Sequence, residues 1–405
     1  MQVDSLIRKP AAKRSLWFLD PAIIFLNHGS FGACPKGVLK FQTALRMRLE
    51  REPVQFLVRE FEPLLDKARA GLAKFVGAKA DNLVFVPNAT SGINTVLRSL
   101  RFAKDDELLV TDHEYNACRN ALDFIAARAG ARIVVAPVPF PLHSLDQIVE
   151  PVLDRVTRRT RIALVDHVTS QTGLVFPIGR IVGELEKRGV PTLVDGAHAP
   201  GMVPLNLNRL GASYYTGNCH KWVCAPKGAG FLHVRPDRQE EIRPLVISHG
   251  ANSARTDRSR FLIEFGWTGT WDPAAMLSVP EAIRFMGSLL SGGWPVLMER
   301  NRQLALAGRK LVCDALGIEL PAPDALIGTL ASIPLSPGRD ASPPKSPLYL
   351  DRLQEILRRE RRIEVPIIPW PNPPARILRI SAQLYNSLSD YEALAEALPS
   401  ALKRV

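Results

Sequence analysis

The residue whose sequence surroundings most directly indicate catalytic chemistry is a lysine that follows a β-rich run. Lys221 lies in the segment 216–222 (TGNCHKW), directly after the residues 212–215. Earlier in the chain, a second β-rich run ends in Asp195. Pyridoxal phosphate (PLP) chemistry requires such a pair, because the lysine amine condenses with the cofactor's aldehyde while the carboxylate keeps the pyridine nitrogen protonated. The two residues therefore predict a PLP site.

A segment rich in small and hydroxyl residues supplies a candidate site for the cofactor's phosphate. Residues 83–87 predict a short buried strand, and apolar residues recur at helical spacing over 93–100. Between them, Ala89 and Thr90 lie where free backbone N–H groups at a helix N-terminus favour an anion. A threonine before a helix is commonly only an N-cap. We interpret the segment as a phosphate site because it precedes Asp195 and Lys221 in the order that a PLP site would need.

The elements that must position these residues follow a regular alternation of strands and helices. Helical patterns such as 117–129 and 178–188 separate the strand-like runs. This alternation predicts an α/β fold with a mostly parallel, doubly wound sheet and with sites at the carboxyl ends of its strands. The strand-like runs are 83–87, 107–111, 132–138, 161–166, 192–195, 213–217 and 229–234.

The pattern changes after about residue 285, which predicts a second, smaller domain of the α+β type. We expect a large PLP-binding domain over 22–285 and a small C-terminal domain over 286–405. An N-terminal arm, 1–21, is expected to pack on the small domain or on a partner subunit. The small domain's expected elements are a long helix ending near Leu316, strands at 326–335 and 376–381, a helix at 348–360, a last helix, and a mobile Pro/Ser-rich loop at 334–347.

Composition excludes several other classes of protein. The 405 residues carry a net charge of +12, but the basic residues are spread along the chain, and their densest cluster, 358–362, contains its own glutamate. We therefore expect a solvated helix face and no nucleic-acid site. No apolar run approaches the roughly 20 residues that span a bilayer, and no secretory signal is evident, so a cytoplasmic location is expected. The five cysteines form no Cys-x-x-Cys pair, and we expect free thiols and no metal site.

Eight segments in order along the chain resemble those of one known family. The chain is similar to the class V aminotransferases, which are fold-type I PLP enzymes, and most similar to their isopenicillin N epimerase-like branch. The matching segments are 25–35 (FLNHGSFGACP), 88–90 (NAT), 112–118 (DHEYNAC), 167–173 (HVTSQTG), 195–198 (DGAH), 219–222 (CHKW), 267–272 (WTGTWD) and 378–381 (LRIS).

The resemblance implies a role in cofactor binding for each matching position. Lys221 would bind the aldehyde and then move the substrate's α-proton. Asp195 would pair with the pyridine nitrogen, and His198 would lie beside the ring's phenolic oxygen, although a structural histidine at a strand end is the alternative. Gln171 or Ser170 would share that oxygen. The phosphate would be held by Ala89, Thr90, Asn218 (where the family more often has serine), His220 and, from a second subunit, Thr270.

The resemblance also implies residues that contact the substrate. Arg379 would clamp the substrate carboxylate, a bidentate task suited to a guanidinium group, with Arg376 as its rival. Asn27 and His28 would face the substrate or only cap a turn. A ring from Tyr115 or from His113 would stack on the cofactor; the surrounding pattern favours Tyr115 and leaves His113 a structural role as the alternative.

The expected reaction begins at the α-carbon of an amino acid or a small peptide-like amine, in a homodimer with shared active sites. The resemblance favours removal of the α-proton and reprotonation on the opposite face, with Tyr115, His28 or a water as the second acid. A Cβ–S lyase of the hercynylcysteine sulfoxide lyase type and an aminotransferase are the alternatives. Cysteine desulfurase activity is disfavoured because the segment 362–367 contains no nucleophilic cysteine and because Cys313 falls in a helical run.

Overall fold

The computed structural model describes residues 7–339, 342 and 350–405. Parts of two expected segments, the N-terminal arm and the Pro/Ser-rich loop, lie outside the described residues, as do residues 348 and 349 of an expected helix. The strands are β1 (Ile24–Phe25), β2 (Leu83–Val86), β3 (Glu107–Thr111), β4 (Arg132–Ala136), β5 (Thr160–Asp166), β6 (Thr192–Gly196), β7 (Tyr214–Asn218), β8 (Gly230–Val234), β9 (Leu330–Leu335), β10 (Ile363–Glu364), β11 (Ile367–Pro369) and β12 (Arg376–Ser381).

Helices separate most of these strands. A π-helical turn, Gln55–Glu60, precedes the third of the helices given below. The α-helices are His28–Phe31, Lys36–Arg51, Phe61–Val76, Ala89–Ser99, Asn116–Ala129, Asp146–Asp154, Ile178–Lys187, Leu207–Leu210, Arg260–Gly266, Ala274–Leu277, Val279–Gly287, Gly293–Leu316, Arg352–Glu360 and Leu388–Leu402. Within the described part of the chain, no helix combines the length and the apolar character needed to cross a membrane.

A seven-stranded sheet in the order β2-β8-β7-β6-β5-β3-β4 forms the centre of the molecule. The strands from β7 to β4 are parallel, whereas β8 is antiparallel to both of its neighbours. The predicted α/β fold with a mostly parallel sheet is therefore confirmed. Two strands end earlier than predicted, at Val86 and Ala136, because a proline with no N–H to donate follows each of them.

Both faces of this sheet are buried, as expected for a parallel sheet covered by helices. Along β2, Leu83 and Phe85 point into one apolar cluster, while Val84 and Val86 point into another. This alternation is the period-2 geometry of a strand. The helix Ala89–Ser99 then starts directly at the carboxyl end of β2.

A second, three-stranded antiparallel sheet, in the order β11-β12-β9, lies in the C-terminal part. The N-terminal residues contact this part. The Ala12 N–H donates to the Leu384 carbonyl at 3.1 Å, and the Trp17 ring meets Tyr385 edge-on. β1 pairs with β10 in parallel. The Ser381 N–H donates to the Leu26 carbonyl at 3.0 Å and so joins the loop after β1 to the end of β12. The domain boundaries stay a prediction.

Candidate active site

The amine of Lys221 lies in a polar pocket at the carboxyl edge of the large sheet. It follows β7, and its Nζ lies 2.8 Å from Nε2 of His198. The indole N–H of Trp222 donates to Nδ1 of His198 at 3.4 Å, so the proton of this imidazole belongs on Nε2, from which it points at Lys221. Burial lowers the pKa of Lys221 to about 8 and holds the pKa of His198 well below its usual range. A neutral amine, the nucleophilic form, is therefore accessible near neutral pH.

Asp195 is the second-last residue of β6 and is buried beside this amine. Its Oδ1 accepts the Ala197 N–H at 2.8 Å, and its Oδ2 accepts the Cys118 thiol at 3.2 Å. Burial raises the pKa of this carboxyl, while the two donors and the charge of Lys221 oppose the rise. The carboxylate is thus oriented by fixed donors, as a partner for a buried cationic ring nitrogen must be.

Three of the residues predicted to hold the phosphate, Ala89, Thr90 and Asn218, lie at the N-terminus of the helix Ala89–Ser99. Asn88 caps this helix through the Ser91 N–H, at 2.9 Å, and the side-chain oxygen of Asn218 accepts the Ala89 N–H at 2.8 Å. His220 follows β7 with its Nδ1 3.0 Å from the Ala229 carbonyl oxygen. Thr90, which is partly buried, is the helix's second residue. The structure therefore brings Asn218 to the helix N-terminus, where the positive end of the dipole favours an anion.

Arg379 on β12 is a buried cation that lacks an acidic partner. Its guanidinium donates to the Ser170 carbonyl and, at 2.9 Å, to Ser30 Oγ, and its Nε has no partner. Burial lowers its pKa to about 10, so it stays charged at neutral pH. Among the described residues it forms no ion pair, whereas its rival Arg376 contacts Asp351 at 3.0 Å. Arg379 therefore keeps the capacity to bind a carboxylate.

His28 supports the backbone of the reactive lysine rather than facing open space. Its Nδ1 lies 2.8 Å from the Tyr385 hydroxyl and its Nε2 lies 3.1 Å from the Lys221 carbonyl oxygen. Burial lowers its pKa to about 3, so the ring is neutral. The chain passes so close here that a Cβ on Gly32, where φ is +71°, would lie 2.2 Å from the His220 carbonyl oxygen. Both ring nitrogens of His28 are thus used within the chain, and a substrate-facing role for His28 stays a prediction.

Asn27, the other residue expected to face the substrate, is linked to the candidate carboxylate site. Its side-chain oxygen accepts the Ser30 hydroxyl at 2.5 Å, and Ser30 Oγ in turn accepts from Arg379. Its amide nitrogen lies 3.3 Å from Glu364 Oε1. Asn27 therefore helps to place Ser30 and, through it, the guanidinium.

The two candidates for a ring that stacks on the cofactor lie in different environments. His113 is fully buried, with Nδ1 2.8 Å from Thr172 Oγ1 and Nε2 2.9 Å from the Val138 carbonyl oxygen. Its ring packs against Trp370. These are the contacts of a structural histidine, the alternative that the sequence left open. Tyr115 is 43% exposed, and the charges of Asp195 and Arg379 both act on its phenol.

Three further predicted residues lie at the margins of this group. The Ser170 carbonyl accepts from Arg379, and the Gln171 carbonyl accepts from Ser332. The side-chain oxygen of Gln171 is buried without a partner. Thr270 is exposed and lines a cavity of about 500 Å³ whose wall does not include Lys221. Within this chain, therefore, Thr270 does not join the group around Lys221.

Three buried residues at this site were missed in the sequence. Glu114 and Cys118 flank the start of the helix Asn116–Ala129, and their polar atoms lie within 4.8 Å of each other and of the Asp195 carboxylate. Asp166 ends β5 in direct register with Asp195. Its position at the end of a predicted strand was a signal that could have revealed it.

These residues fit pyridoxal phosphate. An amine that can be neutral, a carboxylate held by donors and a helix N-terminus match the aldehyde, the ring nitrogen and the phosphate. Two buried polar atoms, the side-chain oxygen of Gln171 and Nε of Arg379, have no hydrogen-bond partner. A polar ligand that bonded to them would remove the free-energy cost of burying them unpaired. The fold and the site together are those of a fold-type I PLP enzyme.

Comparison with known proteins places the chain in a family. The family described as "Aminotransferase class-V" matches residues 47–305. The chain is 37% identical over 394 residues to isopenicillin N epimerase from Amycolatopsis lactamdurans, covering 94% of this chain and 95% of that protein. It is 31% identical over 410 residues to putative L-cysteine desulfhydrase 1 from Oryza sativa subsp. japonica, covering 94% and 83%. The chain belongs to the class V aminotransferase family and is an enzyme dependent on pyridoxal phosphate.

Solved structures agree with this fold. A cysteine desulfurase from Escherichia coli superposes with a TM-score of 0.77 at 21% identity, covering 97% of this chain and 98% of that one. At this identity the likeness establishes the fold alone.

Proposed function

We propose that the chain is an isopenicillin N epimerase-like enzyme that removes the α-proton of an amino acid or small peptide-like amine and reprotonates the α-carbon on the opposite face. The observation that carries the proposal is the pairing of the Lys221 amine with a neutral His198 beside Asp195. The 37% identity to an isopenicillin N epimerase along nearly the whole chain supports the epimerase class.

Bound pyridoxal phosphate would supply an aldehyde for the substrate amine and a ring that withdraws electrons from the α-carbon. Lys221, Asp195, Asn218, His220 and the N-terminus of the helix Ala89–Ser99 would hold it. The free Lys221 amine would be the base for the α-proton. Its lowered pKa, about 8, keeps part of it neutral at working pH, and the neutral Nε2–H of His198 orients its lone pair.

Reprotonation on the opposite face requires a second acid, and Tyr115 is our candidate. Both ring nitrogens of His28 and of His113 are already used in hydrogen bonds, whereas the Tyr115 ring is only half-buried. Partial burial raises the pKa of this phenol, so it stays protonated at neutral pH. The Tyr115 hydroxyl can therefore donate a proton while Lys221 accepts one.

The substrate carboxylate would bind Arg379. This guanidinium is buried, charged and without an acidic partner among the described residues, and Ser30 and the Ser170 carbonyl fix its plane. An α-carboxylate accepts two parallel N–H bonds from such a group. This contact would hold the α-carbon in one orientation toward Lys221.

A Cβ–S lyase is the second candidate function. Its support is the 31% identity to a putative L-cysteine desulfhydrase. Both reactions begin with the same proton transfer to Lys221, and they differ in whether a sulfur group leaves from the β-carbon. Cysteine desulfurase activity is disfavoured, because all five cysteines are buried and none lies in the segment 362–367.

We further propose a homodimer with shared active sites. Thr270 is exposed, and the cavity that it lines also includes Leu245, Val246 and Arg46. Large apolar side chains are exposed on neighbouring segments, as expected for a surface that a second copy covers. These side chains are Phe41, Met47, Val54, Val58, Leu245, Val246 and Ile247.

Proton NMR in D₂O on the PLP-loaded enzyme tests the reaction. The panel holds L-amino acids, aminoadipyl peptides and S-substituted cysteine sulfoxides. Loss of the α-proton signal with an intact carbon skeleton and appearance of the other enantiomer is the expected result. Pyruvate with a released sulfur fragment would instead assign the lyase reaction. Lys221→Ala is the control, and it should abolish both.

Mixing two inactive variants tests the shared site. In a mixed dimer of Lys221→Ala with Thr270→Glu, one of the two sites has both a normal lysine and a normal threonine. Random pairing should then restore about a quarter of the wild-type activity, because half of the dimers are mixed and each carries one intact site. No recovery after confirmed subunit exchange would refute the contribution of Thr270 across the interface.

A further inference from the structure

Two carboxyl groups with no role in the proposed reaction are buried behind Asp195. Glu114 is 6% exposed and Asp166 is 2% exposed. β5 and β6 are parallel, and their register places Asp166 opposite Asp195. Glu114 approaches from the segment before the helix Asn116–Ala129, and its carboxylate oxygen lies within 4.8 Å of the Asp195 carboxylate. Three carboxyl groups therefore share one interior region.

The donors in this region do not satisfy all three groups. Both oxygens of Asp195 have donors, from Ala197 N–H and from the Cys118 thiol. Glu114 Oε1 accepts the Tyr115 N–H at 3.2 Å, but Glu114 Oε2 and Asp166 Oδ2 are buried and have no partner. These two oxygens lie on groups that both neighbour Asp195, and a single proton held between the two groups would satisfy both.

Within the described part of the chain, no cation contacts this pair. Among the described residues, neither Glu114 nor Asp166 forms an ion pair. The other titratable groups that face this region are Tyr115, Cys118, His167, Tyr215, Asp195 and Lys221.

Of these groups, only Lys221 carries a positive charge at neutral pH, and it lies beyond ion-pair distance of Asp166. Cys118 and Tyr215 are neutral because burial raises the pKa of each, and His167 is neutral because burial lowers its pKa to about 4. Burial, followed by the neighbouring carboxylates, raises the pKa of Glu114 and of Asp166 well above the usual range. A buried carboxylate oxygen without a donor is satisfied when a proton on a neighbouring carboxyl group points at it.

We propose that Glu114 and Asp166 share one buried proton and that the remaining negative charge of the pair helps Asp195 to keep the cofactor's ring nitrogen protonated. The pair acts through Asp195 and touches neither substrate nor cofactor, so its members are positioning residues. This inference rests on the proposed function, since it assigns Asp195 to the ring nitrogen. A negative charge within about 5 Å of Asp195 stabilises a proton held between that carboxylate and the ring nitrogen.

Two measurements on Glu114→Gln and Asp166→Asn test the proposal. The first is the infrared C=O stretch of a protonated carboxyl at neutral pH in the cofactor-free protein. The second is the ¹⁵N NMR shift of the ring nitrogen of ¹⁵N-labelled pyridoxal phosphate in the loaded enzyme, followed against pH. Asp106→Asn is the matched control, because Asp106 is a buried carboxylate at the opposite, amino end of β3, where it pairs with Arg161.

The wild type should give a protonated-carboxyl band, and the control should keep it. Each variant retains one carboxyl group of the pair. If that group is protonated, the band stays, the negative charge is lost and the proton affinity of the ring nitrogen should fall about tenfold, a shift of about one pKa unit. If that group is ionised, the band disappears and the proton affinity should stay as in the wild type and the control. A wild type without the band, or a variant that keeps the band with an unchanged nitrogen titration, would overturn the proposal. If one variant does not fold, the other variant and the wild-type band still decide.

A wild-type protein that binds no cofactor would refute the proposed function, and with it the role assigned at the ring nitrogen. The infrared band of the cofactor-free protein does not depend on cofactor binding. The failure of the proposed function and the failure of proton sharing are therefore distinguishable.

Discussion

Two arginines on the same strand, Arg376 and Arg379, should differ in how much the same substitution lowers the free energy of unfolding. They are 5% and 4% exposed, so their burial is closely matched. Arg376 contacts both carboxylate oxygens of Asp351, at 3.0 and 3.2 Å. Arg379 contacts only a hydroxyl and a carbonyl oxygen within the described chain. The first arginine completes an internal ion pair, and the second is a buried charge that we assign to the substrate carboxylate.

The free energies follow from these contacts. Arg376→Met leaves Asp351 buried and unpaired, which should lower the free energy of unfolding by about 3 kcal/mol or more. Arg379→Met removes a buried cation that has no acidic partner, so its effect on unfolding should lie within about 1 kcal/mol of zero. Arg379→Lys keeps the charge but loses the bidentate fork, which should cost about 2 kcal/mol of substrate binding, or about a 30-fold loss of kcat/KM.

Urea unfolding of the loaded enzyme and kinetics on the best substrate of the NMR panel measure these quantities. In Arg379→Lys, the free acid should lose most of its advantage over the same substrate with its carboxylate converted to an amide. Equal destabilisation by the two methionine variants would contradict the assignment of charges. So would an Arg379→Lys enzyme that retains wild-type kcat/KM.

Three further predictions concern Lys221, His28 and Tyr115. The cofactor-free protein should take up pyridoxal phosphate at a rate that rises with pH through about 8, because the amine reacts only when neutral. Absorbance follows this rate, and a rise centred near 10 would contradict the lowered pKa of Lys221. His28→Gln should reduce the free energy of unfolding by about 1–2 kcal/mol without moving the pH–rate profile, because this imidazole is neutral at working pH; a displaced profile would contradict this. Tyr115→Phe should leave exchange of the α-proton of the L-enantiomer within about threefold of wild type but slow formation of the D-enantiomer by roughly 100-fold or more. Equal slowing of both would instead indicate a role for Tyr115 in cofactor stacking.

The sheet was predictable because its strands are short apolar runs with clear boundaries. β3 matches its predicted range, 107–111, and Lys221 and Asp195 lie next to one another because parallel strands place their carboxyl ends at one edge. The antiparallel direction of β8 was not predicted. A strand's apolar pattern is the same in either direction, so sequence periodicity carries no information on this point.

The roles of individual histidines were harder to predict, since each depends on contacts between distant segments. The partner of His28 is Tyr385, which is brought to it only by the packing of the C-terminal part against the loop after β1. His113 similarly uses its two nitrogens on Thr172 and on Val138. No local pattern near either histidine indicates these partners.

The carboxyl pair required knowledge of the strand order. Asp166 was recognisable as the end of a predicted strand, but its place opposite Asp195 follows from the pairing of β5 with β6. In the sequence around Glu114, the candidate functional residue was the neighbouring Tyr115. Glu114 is buried and Tyr115 is partly exposed, and the sequence alone does not distinguish a buried carboxyl group from an exposed one.

We assign Lys221 as the residue that carries the cofactor and as the reactive amine. Borohydride reduction of the loaded enzyme followed by peptide mass spectrometry tests this assignment directly. Lys227, whose amine donates to the nearby Gly32 carbonyl at 2.9 Å, is the internal comparison. We predict a phosphopyridoxyl group on Lys221 at close to one per chain, and none on Lys227. A label on Lys227, or no label on either lysine in a protein that binds the cofactor, would contradict the assignment.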